Sequence, residues 1–260
     1  MEIITSRKNE NVRMVRELLR DINYRREIGF FAVEGDHLCS ELADCVDNVR
    51  YAVYFLYTEK AAKKYPETVK KVLGKANFSA VITEELAEYI SDTKSPQGLF
   101  IATETFWLDI PENARRIVVL DNVQDPGNVG TIIRAAEAFG VDGVLLFRNC
   151  ADEFSPKTLR ASMGSAFRMP IHSVYYVEED LKKLLEGFTV YGAMLDDTAK
   201  RLGDVKFPEK TAIVIGSEGS GISPEIAEIC GEKLYIPING AESLNAAMAA
   251  AIIMWELGRS

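Results

Sequence analysis

The sequence predicts an α/β protein with a C-terminal parallel sheet covered by helices on both faces and a smaller N-terminal α/β domain. Three observations lead to this fold class. Between residues 117 and 257, apolar β-branched runs alternate strictly with helical patterns. Those runs are almost continuously apolar, as expected for strands buried on both faces. Before residue 104 the same alternation occurs with shorter elements, and periodicity is then lost around Pro111.

The N-terminal domain is predicted to span residues 1–105 and to begin with an amphipathic helix. Residues 7–26 carry seven basic and three acidic side chains, a net charge of +4 in a chain whose total is −9. Such a face can be a solvated helix surface or a contact for nucleic acid. Both interpretations hold if the helix docks through its apolar stripe, which consists of Val12, Val15, Leu18, Leu19 and Ile22.

The remaining N-terminal elements follow from hydrophobic periodicity, and together they predict a small α/β sandwich. The predicted strands are residues 30–34, 51–57 and 98–103. The predicted helices are residues 38–45, 61–73 and 84–89. A linker around Pro111 then separates this domain from a second one at residues 113–260.

The C-terminal domain is predicted to contain six strands, at residues 117–120, 143–147, 171–175, 189–194, 212–215 and 233–236. The helices between and after them are predicted at residues 129–138, 156–161, 178–185, 224–229 and 244–257. Ser243 stands at the expected N-cap of the last helix, so that Leu244 and Asn245 would open its first turn.

Composition limits the class of protein. The 260 residues are 47% apolar and 27% charged, which is typical of a globular chain with one large or two small domains. The longest apolar stretch, residues 246–255, is too short to span a membrane, and the first residues lack a signal-peptide pattern. Four scattered cysteines and two distant histidines predict no metal site and a reducing, cytoplasmic compartment.

Three polar or glycine-rich loops follow predicted strands, at residues 125–134, 216–221 and 237–245. In an α/β sheet, ligands bind at the carboxyl ends of the strands. The glycine-rich loop is not a dinucleotide fingerprint, because it lies near the end of the chain, and no Walker A triplet occurs. A flexible turn would explain its glycines but not Glu218 between them. We therefore favour a ligand site.

These loops resemble a known family. Asn128-Val-Gly130 with Arg134, then Ser162-Met-Gly164, then the 216–221 loop, Ile236-Pro237 and Ser243-Leu-Asn245 are similar to the motifs of SpoU (TrmH-type) RNA 2′-O-ribose methyltransferases of the SPOUT superfamily. The segments 31–35 and 95–99 resemble that family's substrate-binding domain. The resemblance implies an RNA-binding L30e-like N-terminal domain, a C-terminal trefoil knot and a homodimer with shared active sites.

The resemblance also implies S-adenosylmethionine as cofactor, bound by Gly216, Ser217, Glu218, Gly221, Ile236, Ile238, Ser243 and Leu244. The implied catalytic residues are Arg134, Asn128, Glu218, Ser243 and Asn245. Alternatives stay open for each of them. Arg134 could be an ordinary surface arginine, and Asn128 could cap its helix. Glu218 could hydrogen-bond to Asn128 or across a subunit interface, or it could cap the following turn. Capping alone would explain Ser243, whereas it would not explain Asn245.

Two departures from the family pattern concern target preference: Ala246 and Ala247 replace the usual valine and serine, and the loop before Ser243 is one residue short. Ribosomal RNA is the expected substrate, since the minimal transfer-RNA enzymes of the family carry short helical extensions instead of such an N-terminal domain. A transfer-RNA methyltransferase and a non-catalytic RNA-binding or ribosome-assembly protein are the alternatives. The last helix has a face of small residues, Ala246, Ala247, Ala249 and Ala250. Such a face suits close helix packing in a dimer, although a contact within the chain would explain it equally well.

Overall fold

The computed structural model describes residues 3–47, 49–240 and 243–259. Ala241 and Glu242 of the predicted 237–245 loop therefore lie outside the described residues. The chain divides into two compact units. The first comprises Met1–Phe106 and Phe154–Phe167, and the second comprises Trp107–Glu153 and Arg168–Ser260. The predicted division of labour between an RNA-binding and a catalytic domain stays a prediction.

The first unit is built on a mixed five-stranded sheet. Its strands are β1 (Ile3–Ile4), β2 (Phe30–Glu34), β3 (Val53–Thr58), β4 (Phe78–Ile82) and β5 (Leu99–Glu104). Their order is β1-β4-β3-β5-β2; β1, β4 and β3 are parallel, and β5 runs antiparallel to both of its neighbours. The sequence analysis missed β1 and β4.

Six helices precede β5, and a seventh, α8 (Pro156–Ser162), joins them from later in the chain. The six are α1 (Glu10–Leu18), α2 (Ile22–Ile28), α3 (Asp36–Cys45), α4 (Glu59–Lys64), α5 (Pro66–Leu73) and α6 (Glu84–Ile90). The predicted apolar stripe is buried at Val12, Val15, Leu18 and Leu19. Its last member, Ile22, is half-buried and begins α2, so the single helix expected there is two helices separated at Asp21, the N-cap of α2. Phe154 and Phe167, at the ends of the inserted segment, both pack on Phe31 of β2.

The single helix predicted at residues 61–73 is wrong. The structure has two helices, α4 and α5, with Tyr65 between them at φ −126° and ψ 56°. The cause is Pro66, which has no N–H to donate and disfavours a helical conformation at the residue before it. As the first residue of α5, the same proline is well placed, because the N–H it lacks would have no helical partner there.

The second unit contains a seven-stranded sheet in which every pairing is parallel. Its order is β10-β12-β9-β11-β6-β7-β8. The strands are β6 (Arg116–Asp121), β7 (Gly143–Phe147), β8 (Ile171–Val174), β9 (Thr189–Ala193), β10 (Lys200–Arg201), β11 (Thr211–Gly216) and β12 (Glu232–Tyr235). Only the two-residue β10 was missed by the sequence analysis. The parallel α/β prediction is confirmed, while the trefoil knot stays a prediction.

The helices of this unit are α7 (Pro126–Ala138), α9 (Lys182–Leu184), α10 (Pro224–Ala227) and α11 (Ala246–Arg259). A π-helical turn, Val177–Leu181, replaces the start of the helix predicted at 178–185. Helix α11 packs on α7 and β11. Within the described ranges, no helix is long and apolar enough to cross a membrane, and no group of three or more His, Cys, Asp or Glu side chains could hold a metal ion.

The start of α11 differs from the prediction. Asn245, not Ser243, caps the helix: its Oδ1 accepts hydrogen bonds from the backbone N–H groups of Ala247 and Met248 at 3.0 and 3.2 Å. The helix therefore begins at Ala246, and Leu244 and Asn245 lie before it. Asparagine and serine cap helices about equally well, so cap preference alone could not distinguish Asn245 from Ser243.

This geometry predicts different effects for two neighbouring substitutions. Asn245→Ala should lower the free energy of unfolding by about 1 kcal/mol, because two N–H groups of the first turn lose their acceptor. Ser243→Ala, the matched control, should change it by less than about 0.5 kcal/mol, the usual range for a substitution that removes no such contact. Urea unfolding of the three proteins measures both values. A larger loss in Ser243→Ala than in Asn245→Ala would contradict this capping assignment.

Candidate functional site

A cavity of about 420 Å³ opens at the carboxyl edge of the parallel sheet. It lies where β9, β11 and β12 end, and its walls include Ala193, Gly216 and Tyr235 from these strands. All eight residues expected to bind the cofactor line it: Gly216, Ser217, Glu218, Gly221, Ile236, Ile238, Ser243 and Leu244. Most of the remaining wall is apolar, with Ile215, Ile222 and Leu234 among the lining side chains.

The glycine-rich loop is a tight turn at the mouth of this cavity. Backbone hydrogen bonds join Ser217 and Gly221 in both directions, at 3.1 and 2.9 Å. Gly221 has φ +65°, a conformation that favours glycine. A Cβ atom on Gly216 would overlap the backbone of Gly221 and Ile222. The turn can therefore close only because residue 216 has no side chain.

A buried carboxylate supports the far end of the same loop. Asp121, the last residue of β6, is fully buried, and its Oδ2 accepts a 2.6 Å hydrogen bond from the backbone N–H of Ser223. Asp121 pairs in register with Gly216. The sequence analysis missed this residue, although an acid that ends an apolar strand at the ligand-binding edge was a usable signal. It fixes the chain between the loop and α10.

Glu218 connects three loops that are distant in sequence. Its Oε1 accepts hydrogen bonds from Nδ2 of Asn128 at 2.8 Å and from Nδ2 of Asn245 at 2.5 Å. The backbone N–H of Ala246 also points to this oxygen, at 3.4 Å. Asn245 Nδ2 donates in addition to Oδ1 of Asn128 at 3.0 Å. Of the alternatives for Glu218, the hydrogen bond to Asn128 is present within the single chain.

The cap of α7 is Asp125 and not Asn128. Asp125 Oδ1 accepts from the N–H groups of Gly127 and Asn128 at 2.6 and 3.2 Å, and Pro126 occupies the first helical position. Asn128 is thereby free to point its amide towards Glu218. Asn245 serves two purposes at once, because its Oδ1 caps α11 while its Nδ2 joins the contact with Glu218. Capping is therefore one role of Asn245, but it does not account for the contacts of its Nδ2 with Glu218 and Asn128.

Arg134 is the one predicted catalytic residue that the fold leaves apart. It is exposed on α7, it does not line the cavity, and among the described residues it has no hydrogen bond or ion pair. Ser243 lines the cavity but lies outside the contact of Glu218 with the two asparagines. The chain by itself therefore assembles a ligand pocket and a polar junction beside it, with a free guanidinium on the helix that begins at the junction.

The cysteines of this unit are not arranged for chemistry. Burial raises the pKa of Cys150 to about 12 and that of Cys230 to about 12. A thiol with such a pKa is protonated near neutral pH and is a poor nucleophile. The sulfur of Cys150 instead lies 3.2 Å from the carbonyl oxygen of Leu120. These two cysteines serve packing and local hydrogen bonding.

Comparison with known proteins identifies the family. The model of the SpoU rRNA Methylase family matches residues 115–255, and that of the MRM3-like substrate binding domain matches residues 9–101. The chain is 33% identical over 276 residues to the 23S rRNA (guanosine(2553)-2'-O)-methyltransferase RlmP of Bacillus subtilis, covering 99% of each protein. It belongs to the SpoU methylase family.

Solved structures of two other proteins resemble this SpoU-family chain over nearly its whole length. An AdoMet-bound rRNA methyltransferase from Sinorhizobium meliloti superposes with a TM-score of 0.85 at 27% identity, covering 99% of this chain and 97% of that one. The SpoU methyltransferase AviRb from Streptomyces viridochromogenes, in complex with AdoMet, gives 0.83 at 26% identity, covering 97% and 98%. AdoMet is S-adenosylmethionine, the cofactor that the motifs imply.

The close approach at Gly216 makes a test of the pocket possible. Gly216→Ala should weaken binding of S-adenosylmethionine about tenfold, since forcing a methyl group into a filled space costs roughly 1–3 kcal/mol and 1.4 kcal/mol is tenfold in affinity. Gly219→Ala is the matched control, because a Cβ there would meet nothing within 4 Å. Calorimetric titration measures both affinities. Equal affinities in the two variants would show that the turn does not shape the pocket.

Proposed function

We propose that this SpoU-family protein transfers the methyl group of S-adenosylmethionine to a ribose 2′-hydroxyl of RNA, with ribosomal RNA as its substrate. The observation that carries the proposal is the pocket at the sheet edge, which collects the residues of three separated family motifs. Similarity to the B. subtilis 23S rRNA 2′-O-methyltransferase along 99% of both chains supports ribosomal RNA over transfer RNA.

The pocket suits the cofactor in size and chemistry. Its volume of about 420 Å³ falls in the usual range for small-molecule sites. The apolar side chains of Ile215, Ile222 and Leu234 can pack on a purine, and Gly216 lets the loop backbone come close to it. The loops at Gly216, Ile236 and Leu244 would hold the molecule. When bound, S-adenosylmethionine supplies a methyl group made electrophilic by its sulfonium.

The chain's own residues must prepare the acceptor. A ribose hydroxyl is a weak nucleophile. As its oxygen bonds to the methyl carbon, the carbon–sulfur bond would break, S-adenosylhomocysteine would leave, and the hydroxyl proton would pass to solvent. Arginine stays protonated in proteins, so Arg134 cannot readily take this proton. We assign it to orienting the hydroxyl and stabilising the developing negative charge, together with a phosphate of the RNA. Asn128 and Asn245, held by Glu218, would position the ribose beside the pocket.

A homodimer would bring Arg134 to a pocket that its own chain leaves without it. We propose that each pocket is completed by Arg134 of the partner subunit. Met248, Ile252 and Trp255 form an exposed apolar face on α11, with 57%, 38% and 55% of their surfaces accessible. Their spacing of four and then three residues places them on one side of the helix. Trp255 also packs edge-on against Phe139, directly after α7.

The alanines expected at this interface are turned inward. Ala246, Ala247 and Ala250 are buried within their own chain, and Ala249 lines the cavity. The internal contact is therefore the explanation of the small-residue face. We expect sedimentation at micromolar concentration to show a dimer, and Ile252→Glu to give a monomer with little methyl transfer, because the charge would be buried in the interface. A fully active monomer would contradict the shared site.

The catalytic assignment of Arg134 is tested by kinetics. Arg134→Ala should lower turnover by roughly two or more orders of magnitude, the loss seen when one preorganised donor to an oxyanion is removed, and should leave cofactor affinity unchanged. Arg134→Lys should restore little activity, since a point charge cannot reproduce the planar guanidinium. A variant that lost cofactor affinity but kept its turnover at saturation would place Arg134 in cofactor binding instead.

The function as a whole is tested by incubating the protein with labelled S-adenosylmethionine and total cellular RNA, and by mapping the labelled nucleotide. Label on a ribose of ribosomal RNA is the expected result. Label on transfer RNA would change the substrate assignment. RNA binding without any transfer would favour a non-catalytic ribosome-assembly role.

The first unit is proposed to dock the RNA, and the surface we assign to it is α1 with the turn before it. Arg7 and Lys8 in that turn and Arg13 on α1 are exposed, while Arg7 and Arg16 lie over the ring of Tyr89 at 4.8 and 4.6 Å. RNA affinity should fall with rising salt, as counterion release requires. Unchanged affinity after replacing the three exposed cations with glutamine would refute this surface. A cytoplasmic location stays a prediction.

A further inference from the structure

A second surface lies at the same carboxyl edge of the parallel sheet, away from the cavity. Along the sheet, the cavity occupies the ends of β12, β9 and β11, and Asn128 follows β6. The next two strands, β7 and β8, end at Phe147 and Val174. Arg148 comes directly after β7, and Tyr175 and Tyr176 come directly after β8. We call these three residues the edge strip.

Both tyrosines of the edge strip are exposed. Tyr175 has 55% and Tyr176 63% of its surface accessible, and among the described residues neither ring packs on another ring or on a cation. Most large aromatic side chains of globular proteins are substantially buried, because burial of the ring is favourable. Two successive exposed rings at the ligand-binding edge of a sheet indicate a surface that contacts a partner.

The backbone places Arg148 beside these rings. Its N–H donates a 3.1 Å hydrogen bond to the carbonyl oxygen of Val174, the residue before Tyr175. Arg148 has φ +56°, a left-handed conformation that is strained for a residue with a side chain. Strained positions of this kind concentrate at functional sites. The hydrogen bond to Val174 holds Arg148 in this left-handed conformation and places its backbone next to the segment that carries the two tyrosines.

The guanidinium of Arg148 is accessible and can change its partner. It forms an ion pair with Glu225, in which the two side chains are 47% and 42% exposed. Exposed ion pairs contribute little to stability, since water and salt screen both charges. A phosphate could therefore replace the Glu225 carboxylate at low cost. Glu225 lies in the first turn of α10, the helix that follows the glycine-rich loop, so this arginine is tied to the chain segment that leaves the pocket.

We propose that the edge strip binds single-stranded RNA next to the target ribose, with Tyr175 and Tyr176 stacking on unpaired bases and Arg148 contacting a phosphate. This inference rests on the proposed function and names the form of RNA that the site takes. Aromatic rings stack on bases of any sequence when those bases are unpaired, and arginine adds contact to the backbone. Base-paired nucleotides hide the faces that the tyrosines would need.

The distance along the edge suits a short stretch of nucleotides. Strand β8 lies three positions from β11 in the sheet, which corresponds to about 14 Å at ~4.8 Å per strand. A ribose held beside Asn128 and Asn245 would thus lie within a few nucleotides of the tyrosines. A protein partner is less suited to the edge strip, because it offers two rings and a cation without a continuous apolar patch of the size protein interfaces need.

The test is equilibrium binding of an unstructured, fluorescently labelled single-stranded RNA oligonucleotide to the full chain. We expect Tyr175→Ala/Tyr176→Ala to weaken this binding roughly 5- to 150-fold per lost stack, and Tyr175→Phe/Tyr176→Phe to retain it within about twofold. Arg148→Gln should lower the dependence of log affinity on log salt by about 0.7, the value for one phosphate of a single strand. A duplex of the same sequence should bind all variants alike.

Arg115→Gln is the matched control for Arg148→Gln. Arg115 is also exposed and paired with a glutamate, Glu209, but it precedes β6 at the opposite edge of the sheet. The Arg115→Gln variant should bind the oligonucleotide with the same affinity and the same salt dependence as the unchanged protein. Calorimetry with S-adenosylmethionine checks that each variant keeps a folded pocket. Both variants lose one positive charge, so a loss of affinity in Arg148→Gln alone identifies a local contact and not a general effect of charge.

Two results would overturn the proposal that the edge strip binds single-stranded RNA. One is that the unchanged protein does not bind the single strand, and the other is that the alanine variant binds it as tightly as the phenylalanine variant. Neither outcome refers to methyl transfer. If labelled methyl groups still reach RNA in those cases, the proposed function stands and only the edge strip falls. If the single strand binds through the tyrosines but no transfer to any RNA occurs, the proposed function fails by itself.

Discussion

The arrangement of the site depends on one carboxylate oxygen, Oε1 of Glu218. It accepts hydrogen bonds from the side-chain amides of Asn128 and Asn245, which belong to loops after two other strands of the sheet. Both amides stand at or near the start of a helix, α7 or α11, where the partial positive charge of the helix end favours a carboxylate. Oε1 of Glu218 therefore joins the loops around Gly216 and Leu244 that form part of the cavity wall.

Two further residues fix the position of Glu218 and thereby the rest of the site. Gly216 permits the close turn that carries Glu218, and Asp121 fixes the chain beyond the turn through the backbone of Ser223. The absence of a side chain at Gly216 and the buried carboxyl group of Asp121 thus place the loop where two helix starts can reach it. The sheet supplies the geometry, because parallel strands bring the loops that follow them to a common edge. On that edge the cavity, the contact of Glu218 with the two asparagines and the edge strip lie one after another.

The sequence predicted the parallel sheet well because its strands are continuous apolar runs buried on both faces, a local signal. Strand β4 was missed because Ser79 and Ala80 interrupt its run of large apolar residues. The helix break at Tyr65 was also missed, although Pro66 disfavours a helical conformation at the residue before it. The family motifs indicated which residues would line the pocket. They could not show that Asn245 both caps α11 and contacts Glu218, nor that residues 154–167 pack in the first unit, since both depend on contacts between segments distant in sequence.

A double-mutant cycle between Glu218 and Asn128 tests most directly whether this contact organises the site. Glu218→Ala, Asn128→Ala and the double variant would be compared with the unchanged protein by urea unfolding and by calorimetric titration with S-adenosylmethionine. If the two residues act as one junction, their effects on both free energies should be non-additive, with a coupling of about 1 kcal/mol within the range known for residues in contact. Effects that add to within about 0.3 kcal/mol in both measurements would contradict the account, because the two loops would then be positioned independently of each other.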